Sequence, residues 1–245
     1  MGFYVSLLFL TRLPLPQIEL DDEKIASSLP FFPVAGAIIG GFLALVYVLA
    51  QKIMPLSAAA GIATAFHVAM TGGMHLDGFA DTTDAIFCYG DREKKLAVMK
   101  DSCSGAYGVI GIVLIILLKF LFIFSLPEKW MISSLICFPV ISRWIMTYSM
   151  VFYPYIRKKG LGKAFTGQSI SSFTMASVFT LLIIYFTAGP KGIAASFITF
   201  LCGFAFIKYI IRQFGGMTGD TYGATNEFCE TVALLIFLII SFKIG

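Results

Sequence analysis

Apolar stretches long enough to cross a lipid bilayer recur along most of this chain, near residues 31–50, 55–73, 107–126, 130–152, 172–189, 191–211 and 229–244. A spanning helix needs about 20 mostly apolar residues, and inside hydrocarbon only a fully hydrogen-bonded backbone is tolerated. The pattern predicts an all-α, polytopic integral membrane helical bundle of about seven transmembrane helices, forming one membrane-embedded domain over residues 1–245. Composition excludes the alternative of a water-soluble globule, since only 13% of the residues are charged and 58% are hydrophobic, against about 25% charged in an average soluble domain. The 23 glycines suit close helix approach within a bilayer.

The first sixteen residues, MGFYVSLLFLTRLPLP, lack the basic start and apolar length of a secretory signal and predict an interfacial or re-entrant helix. Five scattered cysteines have no metal-type spacing and are expected to be small buried thiols.

Orientation follows from Lys and Arg, because positive loops stay in the cytoplasm. With the N-terminus inside, eleven cations fall on the inner side, among them Arg12, Lys100 and Arg157, Lys158, Lys159 and Lys163. Four fall outside: Lys52, Lys129, Lys191 and Lys243. Of the 14 acids, all but Glu128 then lie on the inner side or at its boundary, so the working face is expected in the cytoplasm. The basic run at 157–163 has no interleaved aromatics, which argues against nucleic acid as a partner.

The chemistry concentrates in residues 72–85, GGMHLDGFADTTDA, where the second span reaches the boundary. On a helix, Asp77, Asp81 and Asp84 share one face at about 100° per residue. Aligned anions beside a low-dielectric layer call for a cation, and an oxygen-only ligand set favours Mg²⁺ or Mn²⁺ over zinc. The small residues Gly78 and Ala80 would let a substrate phosphate approach. Residues 215–228, GGMTGDTYGATNEF, align with this segment without gaps: Gly72/Gly215, Gly73/Gly216, Met74/Met217, Asp77/Asp220 and Thr82/Thr225 are identical, and Asp84 meets Glu227. A parallel internal repeat, three spans plus three around a central one, is one reading and chance the other. If the repeat holds, Asp220 and Glu227 add metal ligands or a general base.

Further candidates are Lys100 and Asp101, which close the charged stretch before the third span, and the backbone N–H groups of Ser104 to Gly108, which could receive an anion at that helix start. Arg143 lies mid-span and either contacts a substrate phosphate or pairs with an acid of another helix. His67 reads as an interhelical hydrogen-bonding residue, His75 lies within the acidic segment, Glu230 as solvated at a helix end, and Lys119 and Lys208 as snorkelling side chains.

The chain resembles the cobalamin synthase family, the adenosylcobinamide-GDP ribazoletransferases or cobalamin 5′-phosphate synthases. The resemblance is carried by TRLPLP, FFPVAGAIIGG from Phe31, GGMHLDGFADTTDA from Gly72, MKDSCSGAYGV from Met99, GLGKAF from Gly160 and GGMTGDTYGATNE from Gly215. Cys103 and Ser104 depart from the family pattern. The resemblance implies transfer of α-ribazole or its 5′-phosphate onto adenosylcobinamide-GDP with release of GMP, and Mg²⁺ dependence. On that reading Asp77, Asp81 and Asp84 hold the metal and Asp81, Asp220 and Glu227 serve catalysis. His75, Lys100, Asp101 and Arg143 bind substrate. Partners are the two substrates and membrane lipid, with a homo-oligomer or pathway complex left open.

Two rivals stand beside it. CDP-alcohol phosphatidyltransferases carry D-x2-D-G-x2-A-R followed by G-x3-D-x3-D, whereas this chain reads D-G-x-x-D-x-x-D without the Arg. A secondary transporter should place its acids near the membrane midplane rather than at one boundary.

Overall fold

The computed structural model describes residues 1–245 except Ser102, Lys159, Ile244 and Gly245, with the backbone alone at Leu161 and Lys243. The orientation roles expected of Lys159 and Lys243 and the Ser102 of the MKDSCSGAYGV motif therefore lie outside the described residues.

The apolar stretches become helices: α1 (Gly2–Leu10), α2 (Asp22–Ser28), α3 (Phe32–Ala50), α4 (Leu56–Thr71), α5 (Met74–Phe87), α6 (Arg92–Val98), α7 (Ala106–Ser125), α8 (Glu128–Phe152), α9 (Ile170–Phe214) and α10 (Gly219–Lys243). Among the described residues five are long and apolar enough to cross a membrane: Asp22–Ala50, Ala106–Ser125, Glu128–Phe152, Ile170–Phe214 and Gly219–Phe242. The expected seven differs from five for two reasons. The 16 residues of α4 rise only about 24 Å at 1.5 Å each, short of a hydrocarbon layer of about 30 Å. The expected spans at 172–189 and 191–211 form the single 45-residue α9, broken where Gly189 takes φ 62° and ψ −156° just before Pro190. Phe173 and Phe200, on opposite sides of that break, both pack on Trp144 and Tyr148, so the two limbs of α9 fold back along one another.

The centre of the bundle is α8, which packs against α3, α9 and α10. Its contact with α3 depends on the small-residue ridge Gly36 and Gly40: a Cβ at Gly36 would stand 2.5 Å from the Pro139 carbonyl oxygen, and one at Gly40 would stand 2.6 Å from that of Leu135. Without a hydrophobic effect between helices in lipid, such backbone proximity supplies the dispersion that holds them. At the N-terminus α1 packs against α2 and α3. Of the cysteines, only Cys137 and Cys229 are buried; Cys103, expected inside, is exposed because it lies in the loop before α7.

The helix ends sort by side. The starts of α3, α7, α9 and α10 and the ends of α4, α8 and α9 share one end of the bundle, while Lys191 over Trp130 marks the other. Lys208, placed over the rings of Tyr153 and Phe204, reaches the first end along α9.

Candidate active site

Two successive left-handed glycines, Gly72 (φ 66°) and Gly73 (φ 69°), end α4 and turn the chain into α5. Residues with a Cβ resist that region of the backbone map, so the turn is confined to the Gly-Gly pair. As a helix, α5 presents the acids in graded exposure: Asp77 is exposed, Asp81 half-buried and Asp84 buried.

Asp84 is anchored. Its oxygens accept hydrogen bonds from the backbone N–H of Gly105 (2.7 Å) and of Gly108 (2.8 Å) at the start of α7. A Cβ at either glycine would collide with the carboxylate, which accounts for the Gly-rich start of that helix. The free N–H groups of a helix start attract anions, and here the anion is Asp84. Of the donors from Ser104 to Gly108 expected to await a substrate phosphate, those of Gly105 and Gly108 are thus already taken by a protein side chain.

The second acidic segment meets the first. Gly215 (φ 83°) ends α9 as Gly72 ends α4. Thr218 and Thr221 then cap α10 reciprocally, each hydroxyl accepting from the other's backbone N–H (3.2 Å and 2.7 Å). The two helices cross where side chains are missing: a Cβ at Gly78 would lie 2.7 Å from the Asp220 carbonyl oxygen, and one at Gly223 would lie 3.1 Å from the His75 Cα. Gly78 was expected to leave room for substrate; that room holds the backbone of α10 instead. The crossing puts Asp220 beside Asp77, and both line a cavity of about 240 Å³ with His75, Tyr155, Arg157 and Tyr222.

Arg157 reaches the acids through a short backbone pairing. Residues 154–156 lie along 217, with Met217 N–H donating to the Pro154 carbonyl (2.8 Å) and Ile156 N–H to the Met217 carbonyl (3.0 Å). The absence of a side chain at Gly216 admits Ile156 and Pro154, and Tyr155 stacks on Tyr222 at 6.1 Å. Arg157 Nη2 then pairs with Asp220 Oδ2 at 2.6 Å. Reading the sequence assigned Arg157 to topology alone, since nothing local distinguishes it from its neighbours Lys158 and Lys159.

The cluster is short of positive charge. Burial, followed by the charges of Asp77 and Asp220, pushes the Asp81 carboxyl up to about 6, against the opposing pull of Arg157. Among the described residues the carboxylates of Asp77 and Asp81 have no hydrogen-bond or ion-pair partner. Crowded oxygen donors of this kind fit a hard divalent cation, although among the described residues no three of them stand close enough to enclose one as placed.

The remaining candidates divide. Lys100 and Asp101 are exposed; Asp101 accepts from the Cys103 N–H (3.0 Å). Lys100 joins Arg157 and Lys158 around a cavity of about 530 Å³ beside the acids. His75 is buried and accepts from Asn226 at Nδ1 (3.0 Å), because the second amide hydrogen of Asn226 goes to Glu230 (3.2 Å).

Glu227 and Arg143 stand apart, inside the bundle. Glu227 pairs with Lys119 at 2.6 Å, and Glu230 binds both Lys119 and Arg143, with His67 Nε2 3.5 Å away. Arg143 therefore takes the second of its two expected roles, an acid of another helix. Lys119 does not snorkel and Glu230 is not solvated, since 4% and 0% of their surfaces are exposed. Two acids and two cations thus pair with one another there.

A family model described as cobalamin-5-phosphate synthase matches residues 2–238 of this chain. The chain belongs to the cobalamin-5-phosphate synthase family. Curated relatives agree: the adenosylcobinamide-GDP ribazoletransferase of Caldanaerobacter subterraneus subsp. tengcongensis is 36% identical over 240 residues, covering 96% of this chain and 97% of the relative. Those of Thermoanaerobacter pseudethanolicus (37% over 246 residues, 97% and 96%) and Acinetobacter baumannii (38% over 245 residues, 97% and 96%) are similar. No solved structure matches the chain. Membership in the cobalamin-5-phosphate synthase family makes the chain a transferase of cobalamin biosynthesis built as a multi-pass helical bundle.

Proposed function

We propose that this chain joins α-ribazole, or its 5′-phosphate, to adenosylcobinamide-GDP with release of GMP, using Mg²⁺ at the cytoplasmic membrane face. The observation that carries the reading is the crossing of α5 and α10, which gathers Asp77, Asp81 and Asp220 at one end of the bundle with Arg157 against them. The placement in the cytoplasm rests on the eleven-to-four bias of Lys and Arg toward that end.

In the reaction a ribose hydroxyl oxygen attacks the corrinoid-side phosphorus. A new P–O bond forms, the bond from that phosphorus to the bridging oxygen breaks, and GMP leaves with the bridging oxygen. Such transfers depend on positioning and on stabilising spread negative charge. Asp77 and Asp81, with the unused lone pairs of Asp84, would hold Mg²⁺, whose chemistry is to neutralise the diphosphate and the departing oxygen. Asp220 lines the cavity with His75 and accepts the hydroxyl proton, its carboxylate oriented by Arg157. Lys100 offsets phosphate charge from the neighbouring recess.

The test is GMP release by detergent-purified protein given adenosylcobinamide-GDP, α-ribazole and Mg²⁺. Asp81→Asn should lower the rate about a hundredfold or more, the range over which a positioned carboxylate acts. An Asp81→Asn variant with the parent's rate and Mg²⁺ dependence defeats the assignment.

A further inference from the structure

We infer that the recess walled by Lys100, Arg157 and Lys158 binds the phosphate of the nucleotide half of the substrate, a purine nucleoside phosphate, and that Arg157 is shared between this phosphate and Asp220. The inference rests on the transfer reaction proposed above and adds where the leaving group sits.

The recess, about 530 Å³, has Leu96 and Ile156 as its apolar lining and three cationic side chains, with no carboxylate among its described lining residues. Among the described residues the ammonium groups of Lys100 and Lys158 have neither a hydrogen-bond nor an ion-pair partner. Three cations converging with a single paired counter-charge, the Asp220 carboxylate on Arg157, raise a local positive potential that an anion relieves. Arg157 has donors to spare: Nη2 serves Asp220 (2.6 Å) and weakly the Met99 carbonyl (3.4 Å), while the buried Nε has no partner. A guanidinium presents its donors as a planar fork suited to phosphate, and lysines add mobile point charges.

Arg157 also lines the carboxylate cavity on its other side, with Asp77 and Asp220. A phosphate held in the recess is therefore one side chain away from the acids. The leaving nucleotide departs toward Lys100 and Lys158, and the nucleophile approaches through the cavity of His75 and Tyr222. A phosphodiester headgroup of an anionic lipid offers the same chemistry at a membrane face, so the experiment must separate the two sources.

The probe is GMP, titrated calorimetrically into the full chain in nanodiscs of phosphatidylcholine alone, without corrinoid. Saturable binding is expected, weakened roughly tenfold in both Lys100→Ala and Lys158→Ala, the loss of one charged hydrogen bond. Lys158→Arg should restore it, which a folding defect would not allow. GMP binding indifferent to both lysines overturns the inference. So does its loss on adding phosphatidylglycerol to the nanodiscs, because the recess then belongs to a lipid headgroup. Transfer activity measured on the same samples keeps the two readings apart. Activity without lysine-dependent GMP binding sinks this inference alone; lysine-dependent binding without transfer upholds the recess and sinks the reaction.

Discussion

Gly78 lies against the backbone of Asp220 so closely that a methyl group at position 78 would stand 2.7 Å from the Asp220 carbonyl oxygen. The obstacle is backbone, which cannot swing aside, so α5 and α10 would have to separate. Gly78→Ala should cost about 1–3 kcal/mol of stability, the usual cost of overpacking, and should reduce transfer further than stability alone explains. Thermal unfolding in detergent and GMP release at a temperature where the variant stays folded check both parts. A variant equal to the parent in rate would show that the crossing is not needed for the site.

Asp84 and Asp81 are neighbours on α5 with opposite consequences. Asp84→Asn weakens two charge-assisted hydrogen bonds to the start of α7 and should destabilise the fold by about 1.5–3 kcal/mol. Asp81→Asn removes a repelling anion and should leave stability unchanged or raised while transfer collapses. Melting temperatures of the two variants, compared side by side, decide it.

The same crowding sets a pH dependence in Mg²⁺-free buffer. The Asp81 carboxyl sits at about 6 in the folded chain, above the ordinary 3.8. The folded state thus binds the proton more tightly than the unfolded one, and this contribution to stability is fully present below pH 3.8 and lost as pH rises through about 6. Comparing the parent with Asp81→Asn across this window isolates the effect, which should be missing from the variant.

Removing Mg²⁺ should reproduce the repulsion. Adding Mg²⁺ to chelator-treated protein is expected to raise the melting temperature of the parent by mass action, with little response in an Asp77→Asn, Asp81→Asn double variant. Equal shifts in both would place the ion elsewhere.

Glu230→Gln tests the buried network. It leaves Arg143 and Lys119 short of a counter-charge in the bundle interior and should cost about 3–5 kcal/mol, the usual penalty for orphaning one partner of a buried pair. A variant of normal stability with a raised KM for adenosylcobinamide-GDP would instead return Arg143 to substrate binding.

How much of this was legible in the chain follows from which distances are local. The helices, the acid-bearing segment and the paired glycines at 72 and 215 were readable because apolar length, a 3.6-residue period and a left-handed turn are written in adjacent residues. Asp77, Asp81 and Asp84 were nominated from their shared face on a helix and Asp220 and Glu227 from the repeat of GG-M-x-x-D, and the structure places Asp77 and Asp220 on one cavity and Asp81 within their field. The break at Gly189 and Pro190 was visible as a boundary between two apolar runs.

What tertiary structure alone decided was the partner of each charge. Nothing near Glu227 or Glu230 in sequence announces Lys119, more than a hundred residues away, and nothing near Arg157 announces Asp220. In a low-dielectric interior an ion is governed by whatever opposite charge the packing brings within a few ångströms, so identical residue types divided into a neutralised interior set and an under-neutralised set at the bundle end. Composition and periodicity determined that this chain is a membrane bundle with acids at one end; the crossing of α5 on α10, made at two glycines, decided which of those acids form the site.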